Sequence, residues 1–199
     1  MTKFYRVRKT ITRYLTQPIV HLLARTPITP NIISLFGFLV TLGAAVLIIT
    51  EHLFTAGFVV LIAGFFDTLD GELARLTNQS TKFGAILDST LDRLSEAVLL
   101  LGILVFYAKE QSITGILVVG VALFGSLLVS YIRARAEALG LECQVGLFTR
   151  VERVVVLAFG LLLSQINYTL MITLAIIAIF SFITAGQRLI YVWQQIKNN

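Results

Sequence analysis

The 199-residue chain holds a single cysteine, two histidines and few charges, with only 14% of its residues Asp, Glu, Lys or Arg. One thiol, Cys143, excludes an internal disulfide and offers no cysteine-based metal or redox pattern. Scarce charge beside a hydrophobic content of 57% excludes an ordinary soluble domain, because a chain this short cannot enclose so much apolar side chain. An all-α integral membrane protein is expected. The net charge of +5 is not a nucleic-acid signature here, since no basic, aromatic-interleaved soluble segment carries it. Basic residues in such a chain record orientation and contact with anionic headgroups. Nor do the first 25 residues contain the compact apolar core of a secretory signal.

What is present is a series of apolar runs. A helix needs about 20 apolar residues to cross the hydrocarbon. Ile32 to Thr50 and Gln111 to Ile132 meet that length, whereas Leu53 to Phe66 and Ala97 to Ala108 must each borrow from the charged segment beside them. Val154 to Gln187 is uncharged for 34 residues and is interrupted by Ser164, Gln165 and Asn167, which predicts a hairpin of two helices. Six transmembrane helices result, in one domain spanning 1–199, with the bundle over 30–199. With the N-terminus inside, all of the 16 Lys and Arg residues except Lys109 fall on one side or at its edge. Both termini and the aspartate-rich stretch are then cytoplasmic in a multi-pass cell-membrane protein. Over residues 1–25, Phe4, Val7, Ile11, Tyr14 and Leu15 recur at helical spacing, with Lys3, Arg6, Lys9 and Arg13 mostly turned away. This predicts an amphipathic helix lying in the cytoplasmic interface before the first span. Thr29, Pro30 and Asn31 mark the turn that follows, with Asn31 as the expected cap.

Against this background, the segment from Phe65 to Glu96 contains Asp67, Asp70, Asp88 and Asp92. Successive helical residues advance by about 100°, so Asp67, Asp70, Gly71 and Ala74 share one helix face. Gly84, Asp88 and Asp92 share another, on a second helix that follows a polar turn near Asn78 to Lys82. Four carboxylates aimed at a common space repel one another, and few nearby bases face the same way. A positive charge is required. Oxygen-only donors favour a hard cation such as Mg²⁺, and the lack of nearby His or Cys argues against zinc. The plainer alternative is a set of structural helix-end charges in the headgroup region.

The pattern Asp67-x2-Asp70-Gly71-x2-Ala74-Arg75-x8-Gly84-x3-Asp88-x3-Asp92 resembles, at every defined position, the signature of the CDP-alcohol phosphotransferases. That family's six-helix membrane fold with an N-terminal amphipathic helix is similar to the arrangement read from run lengths. The resemblance implies transfer of a phosphatidyl-type group from a CDP-lipid to an alcohol, with release of CMP. It further implies that Asp67, Asp70, Asp88 and Asp92 hold two Mg²⁺ or Mn²⁺ ions, with Asp92 also the general base. Gly71, Ala74, Arg75 and Gly84 would meet the CDP-lipid, joined by Pro30, Asn31, Ile32, Ile33 and Thr81. A homodimer is also implied.

Downstream, Arg133, Arg135, Arg150 and Arg153 fall at the cytoplasmic ends of the fourth and fifth spans. Guanidinium forks suit phosphate oxygens, so these arginines predict an acceptor that is itself a phosphomonoester; anchoring to headgroups is the alternative. The segments "LDSTLDR", "RARAE" and "RVER" resemble those of the phosphatidylinositol phosphate and archaetidylinositol phosphate synthases, which implies inositol 1-phosphate as acceptor. A phosphatidylglycerophosphate synthase acting on glycerol 3-phosphate is the alternative within the family. From other classes, a membrane prenyltransferase or a cation transporter would also place aspartates near a cation.

Overall fold

In a computed structural model of the protein, which describes residues 16–198, the backbone is helical with short connections. Residues 16–23 form a helical segment, α1. It is followed by α2 (Pro30–Ile49), α3 (Leu53–Leu76), α4 (Lys82–Lys109), α5 (Ile113–Ala138), α6 (Arg150–Leu162) and α7 (Thr169–Asn198). Phe4, Val7, Ile11, Tyr14 and Leu15, on which the expected interfacial helix rests, lie outside the described residues.

The borrowed lengths are real. Beyond Phe66, α3 continues through Asp67 and Asp70 to Leu76, and α4 begins at Lys82, ahead of Asp88 and Asp92. The polar interruption at 163–168 separates α6 from α7. Entry into α2 differs from expectation. Thr29, in extended conformation, is the N-cap, and Pro30 takes the first helical position, where its missing N–H costs nothing. Asn31 therefore lies inside the first turn and is free to serve a cleft.

Among the described residues, α2, α3, α5 and α7 are long and apolar enough to cross a membrane. The 28-residue α4 has the length, but its first 15 residues carry Asp88, Asp92, Arg93 and Glu96. At 13 residues, α6 rises only about 20 Å against a hydrocarbon core of about 30 Å.

The six long helices close into a ring. Helix α2 packs on α3 and α4, α3 on α6, α6 on α7, α7 on α5, and α5 on α4. Small residues let the backbones approach, as expected of helices packed in lipid. A Cβ on Gly57 of α3 would meet the Ala158 carbonyl of α6 at 3.0 Å, and one on Gly102 of α4 would meet the Ala45 carbonyl of α2 at 3.3 Å. Ile48, Val60, Leu100, Ile103, Val119, Leu161, Leu174 and Ile177 form the shared core between the helices. Phe36, Leu39, Val46, Phe58, Leu117, Phe124, Ile172 and Ile179 are exposed on the outside, an apolar surface suited to lipid.

Residues 139–149, which connect α5 to α6, are held by α7. Arg188 donates from Nε to the Val145 carbonyl at 2.9 Å and from Nη1 to the Val129 carbonyl at 2.6 Å. The Phe148 N–H donates to the Thr184 hydroxyl at 3.1 Å, and Gln195 donates to the Glu142 carbonyl at 2.7 Å. Gly146 permits this seating. Its φ is +137°, and a Cβ there would lie 2.6 Å from Thr184 Cγ2. Gly146→Ala should therefore lower stability by about 1–3 kcal/mol, the usual cost of forcing a side chain into such a backbone conformation, measured by thermal unfolding in detergent. An unchanged unfolding temperature would show that the connection seats equally well without glycine.

Candidate active site

Helices α3 and α4 run antiparallel through the turn at 77–81, so the last turns of one face the first turns of the other. Thr81 caps α4, its hydroxyl accepting the Gly84 N–H at 2.9 Å. From this corner Asp67, Asp70 and Asp88 each present a carboxylate oxygen, all within 4.8 Å of one another. Asp70 is buried, and from α2 the Ser34 hydroxyl donates to its Oδ2 at 2.5 Å.

Asp92 lies one helical turn beyond Asp88 and is paired differently. Arg150, the first residue of α6, places one nitrogen, Nη1, 2.6 Å from Asp92 Oδ1. The same nitrogen donates to both oxygens of Asp67, at 2.9 and 2.8 Å. Among the described residues, the base that pairs with these carboxylates is one arginine from a helix 83 residues away in sequence. An arginine at a helix N-terminus opposes the helix dipole. Here acidic groups from two neighbouring helices compensate, and Glu152 accepts the Thr149 N–H at 2.9 Å to close the first turn. One guanidinium against four carboxylates still leaves the cluster strongly negative, and its oxygen donors fit a hard divalent cation.

Beside the carboxylates lies an open cleft of about 240 Å³. Pro30, Asn31, Gly71, Ala74, Arg75, Thr81 and Gly84 line it together with Asp70 and Asp88. A Cβ on Gly71 would meet only the tip of Arg75, at 3.8 Å, so this glycine faces open space. Gly84 is different, since a Cβ there would lie 3.1 Å from Asn31 Oδ1. Arg75 is exposed and held by Glu72 at 2.9 Å. Ile32 and Ile33 are not in the cleft lining: Ile32 is exposed, and Ile33 packs with Val20, Leu69 and Leu73.

The four arginines do not form one group. Arg133 and Arg135 are exposed near the end of α5, where Arg133 pairs with Glu137 at 2.8 Å. Arg153 is buried in a two-pronged pair with Glu96 of α4, at 2.5 and 2.7 Å, and its Nη1 donates to the Phe148 carbonyl. Only Arg150 reaches the aspartates. Sequence reasoning missed the parts played by Ser34 and Glu96. Glu96 is one turn past Asp92, a spacing that continues the polar face; Ser34 left no comparable signal.

The model of the CDP-alcohol phosphatidyltransferase family matches residues 27–185. The chain belongs to that family. As a CDP-alcohol phosphatidyltransferase it is a transferase and a membrane protein, which removes the prenyltransferase and transporter alternatives. It is 40% identical over 175 residues to the archaetidylinositol phosphate synthase of Methanothermobacter thermautotrophicus, covering 87% of each chain. Two crystal structures of the phosphatidylinositol phosphate synthase of Mycobacterium tuberculosis superpose closely. The one with CDP-DAG bound gives a TM-score of 0.83 at 33% identity, covering 90% of this chain and 94% of that one. The other, in complex with manganese and citrate, gives 0.81 at 33% identity over 89% and 88%.

In the transferase, the pair between Glu96 and Arg153 is a fully buried ionic contact between α4 and α6. Glu96→Ala should destabilise it by about 3–5 kcal/mol, because the guanidinium is left buried and uncompensated. Arg133→Ala, which removes an exposed pair, should change stability by under about 1 kcal/mol. Equal losses in denaturant unfolding would overturn the distinction.

Proposed function

We propose that the enzyme transfers a phosphatidyl or archaetidyl group from a CDP-lipid to a hydroxyl of inositol 1-phosphate, releasing CMP. The observation that carries this is the Asp67, Asp70 and Asp88 cluster at the wall of the cleft built from Pro30, Asn31, Gly71, Arg75 and Gly84. The names of its relatives support the acceptor. The cofactor is Mg²⁺ or Mn²⁺, held as two ions by Asp67, Asp70, Asp88 and Asp92; when bound, it neutralises the pyrophosphate and the departing CMP. Gly71, Ala74 and Gly84 leave room for the nucleotide, and Arg75 meets its phosphates. Pro30, Asn31 and Thr81 border the same space.

The acceptor oxygen attacks the lipid-side phosphorus, the bond from that phosphorus to the cytidylate oxygen breaks, and CMP leaves with the electron pair. Asp92 takes the hydroxyl proton. The acceptor's phosphate is met by arginines of α5 and α6, among Arg133, Arg135, Arg150 and Arg153. The six long helices are the spans, with the 13-residue α6 completing its crossing together with the 163–168 turn. The active site and both termini are cytoplasmic, residues 1–25 lie along that interface, and two chains form a homodimer.

CMP release from a CDP-lipid, measured with inositol 1-phosphate, inositol, glycerol 3-phosphate and serine, tests the acceptor. Inositol 1-phosphate should be used and free inositol not, because arginines placed for a phosphate are left unpaired without it. Preference for glycerol 3-phosphate would overturn the acceptor, and preference for inositol or serine would overturn the role of the arginines. Asp92→Asn should keep CDP-lipid binding and lower turnover by roughly two to four orders of magnitude. Near-normal turnover would remove Asp92 from the base role.

A further inference from the structure

The four carboxylates are unequally prepared for cations. Asp70 accepts from Ser34 and, with Asp88, has no ion-pair partner among the described residues. Asp67 faces two ways: it belongs to the trio within 4.8 Å, and both of its oxygens also accept from Arg150. Asp92 lies outside that trio and is held by Arg150 at 2.6 Å. All of these contacts come from one nitrogen of the guanidinium. Its Nε is buried and has no hydrogen-bond partner, a costly state that a closely bound anion would relieve.

Arg150 is also poorly able to ignore a neighbouring cation. It is anchored at the first position of α6, whose start is set by the 139–149 connection that α7 holds. A divalent ion using Asp92 would share a carboxylate with the guanidinium in a half-buried site, where repulsion between like charges is weakly screened. An ion held by Asp67, Asp70 and Asp88 meets only the Asp67 side of that pair.

We infer that Arg150 is an internal counter-ion competing for the second of two divalent ions. The trio accepts one ion while Arg150 stays on Asp92, and an ion that needs Asp92 binds only as the guanidinium withdraws. The inference rests on the assignment of two ions to the four aspartates. It makes the two positions unequal through a residue that is not itself a metal ligand.

Mn²⁺ binding to the purified full-length protein, followed by the paramagnetic resonance signal of free Mn²⁺ without lipid substrate, tests it. The wild-type protein should bind two ions, the second more weakly. Arg150→Gln should tighten the second by roughly 5- to 150-fold, the usual range for linked binding, and change the first much less. Its unfolding temperature should fall without metal and recover with saturating Mn²⁺. Should Arg150→Gln not fold, Arg150→Lys carries the test. It keeps the charge without the planar fork, and an intermediate tightening is expected. Two ions bound by wild type and variant with unchanged constants would overturn the competition and leave the two-ion assignment standing. One ion or none in every protein would overturn both.

Discussion

Four carboxylates gathered inside a ring of apolar helices need positive charge, and that requirement organises the site. The chain supplies part of it from Arg150, which bridges Asp67 on α3 and Asp92 on α4. The bridge joins three helices at one nitrogen, so the electrostatics of the cluster and the packing of α6 are not separable. A second buried pair, Glu96 with Arg153, repeats the link between α4 and α6 one turn deeper. Together the two pairs fix the rotation of α6, the shortest of the six long helices.

The cleft proposed for the nucleotide is built on another principle. Its walls are small residues and helix starts: Pro30 and Asn31 in the first turn of α2, Gly71 and Ala74 on α3, and Gly84 in the first turn of α4. Helix N-termini carry partial positive charge and unpaired N–H groups, which suit phosphate oxygens. Asp70 and Asp88 belong to the same lining, so oxygen donors that suit a cation stand beside helix starts that suit an anion.

Much of this was legible in sequence because it is local. The shared faces of Asp67, Asp70 and Gly71, and of Gly84, Asp88 and Asp92, follow from helical periodicity alone. The antiparallel corner follows from the polar turn between them. The break that separates α6 from α7 was marked by Ser164, Gln165 and Asn167. Long-range pairing was not legible. Nothing near Arg150 in sequence reveals that it meets Asp67, or that Arg153 spends its guanidinium on Glu96, because both partners come from helices distant in the chain. The four arginines looked alike as positive charges near helix ends. Burial then divided them, with Arg153 inside and Arg133 and Arg135 outside. Asn31 was misplaced for a smaller reason, since Thr29 and Asn31 are both good caps and the proline between them decides which one is used.

The tether from α7 to the 139–149 connection bears on how the enzyme comes into being. Arg188, Thr184 and Gln195 belong to α7, which follows α6 in the chain, yet they seat the connection that presents Arg150 to the aspartates. Until α7 has inserted, the earlier helices hold a cluster of acidic side chains without their protein counter-charge. A nascent chain halted before α7 would therefore be a cation sink with no organised acceptor side. The protein's own counter-charge is therefore seated only once α7 has packed against that connection.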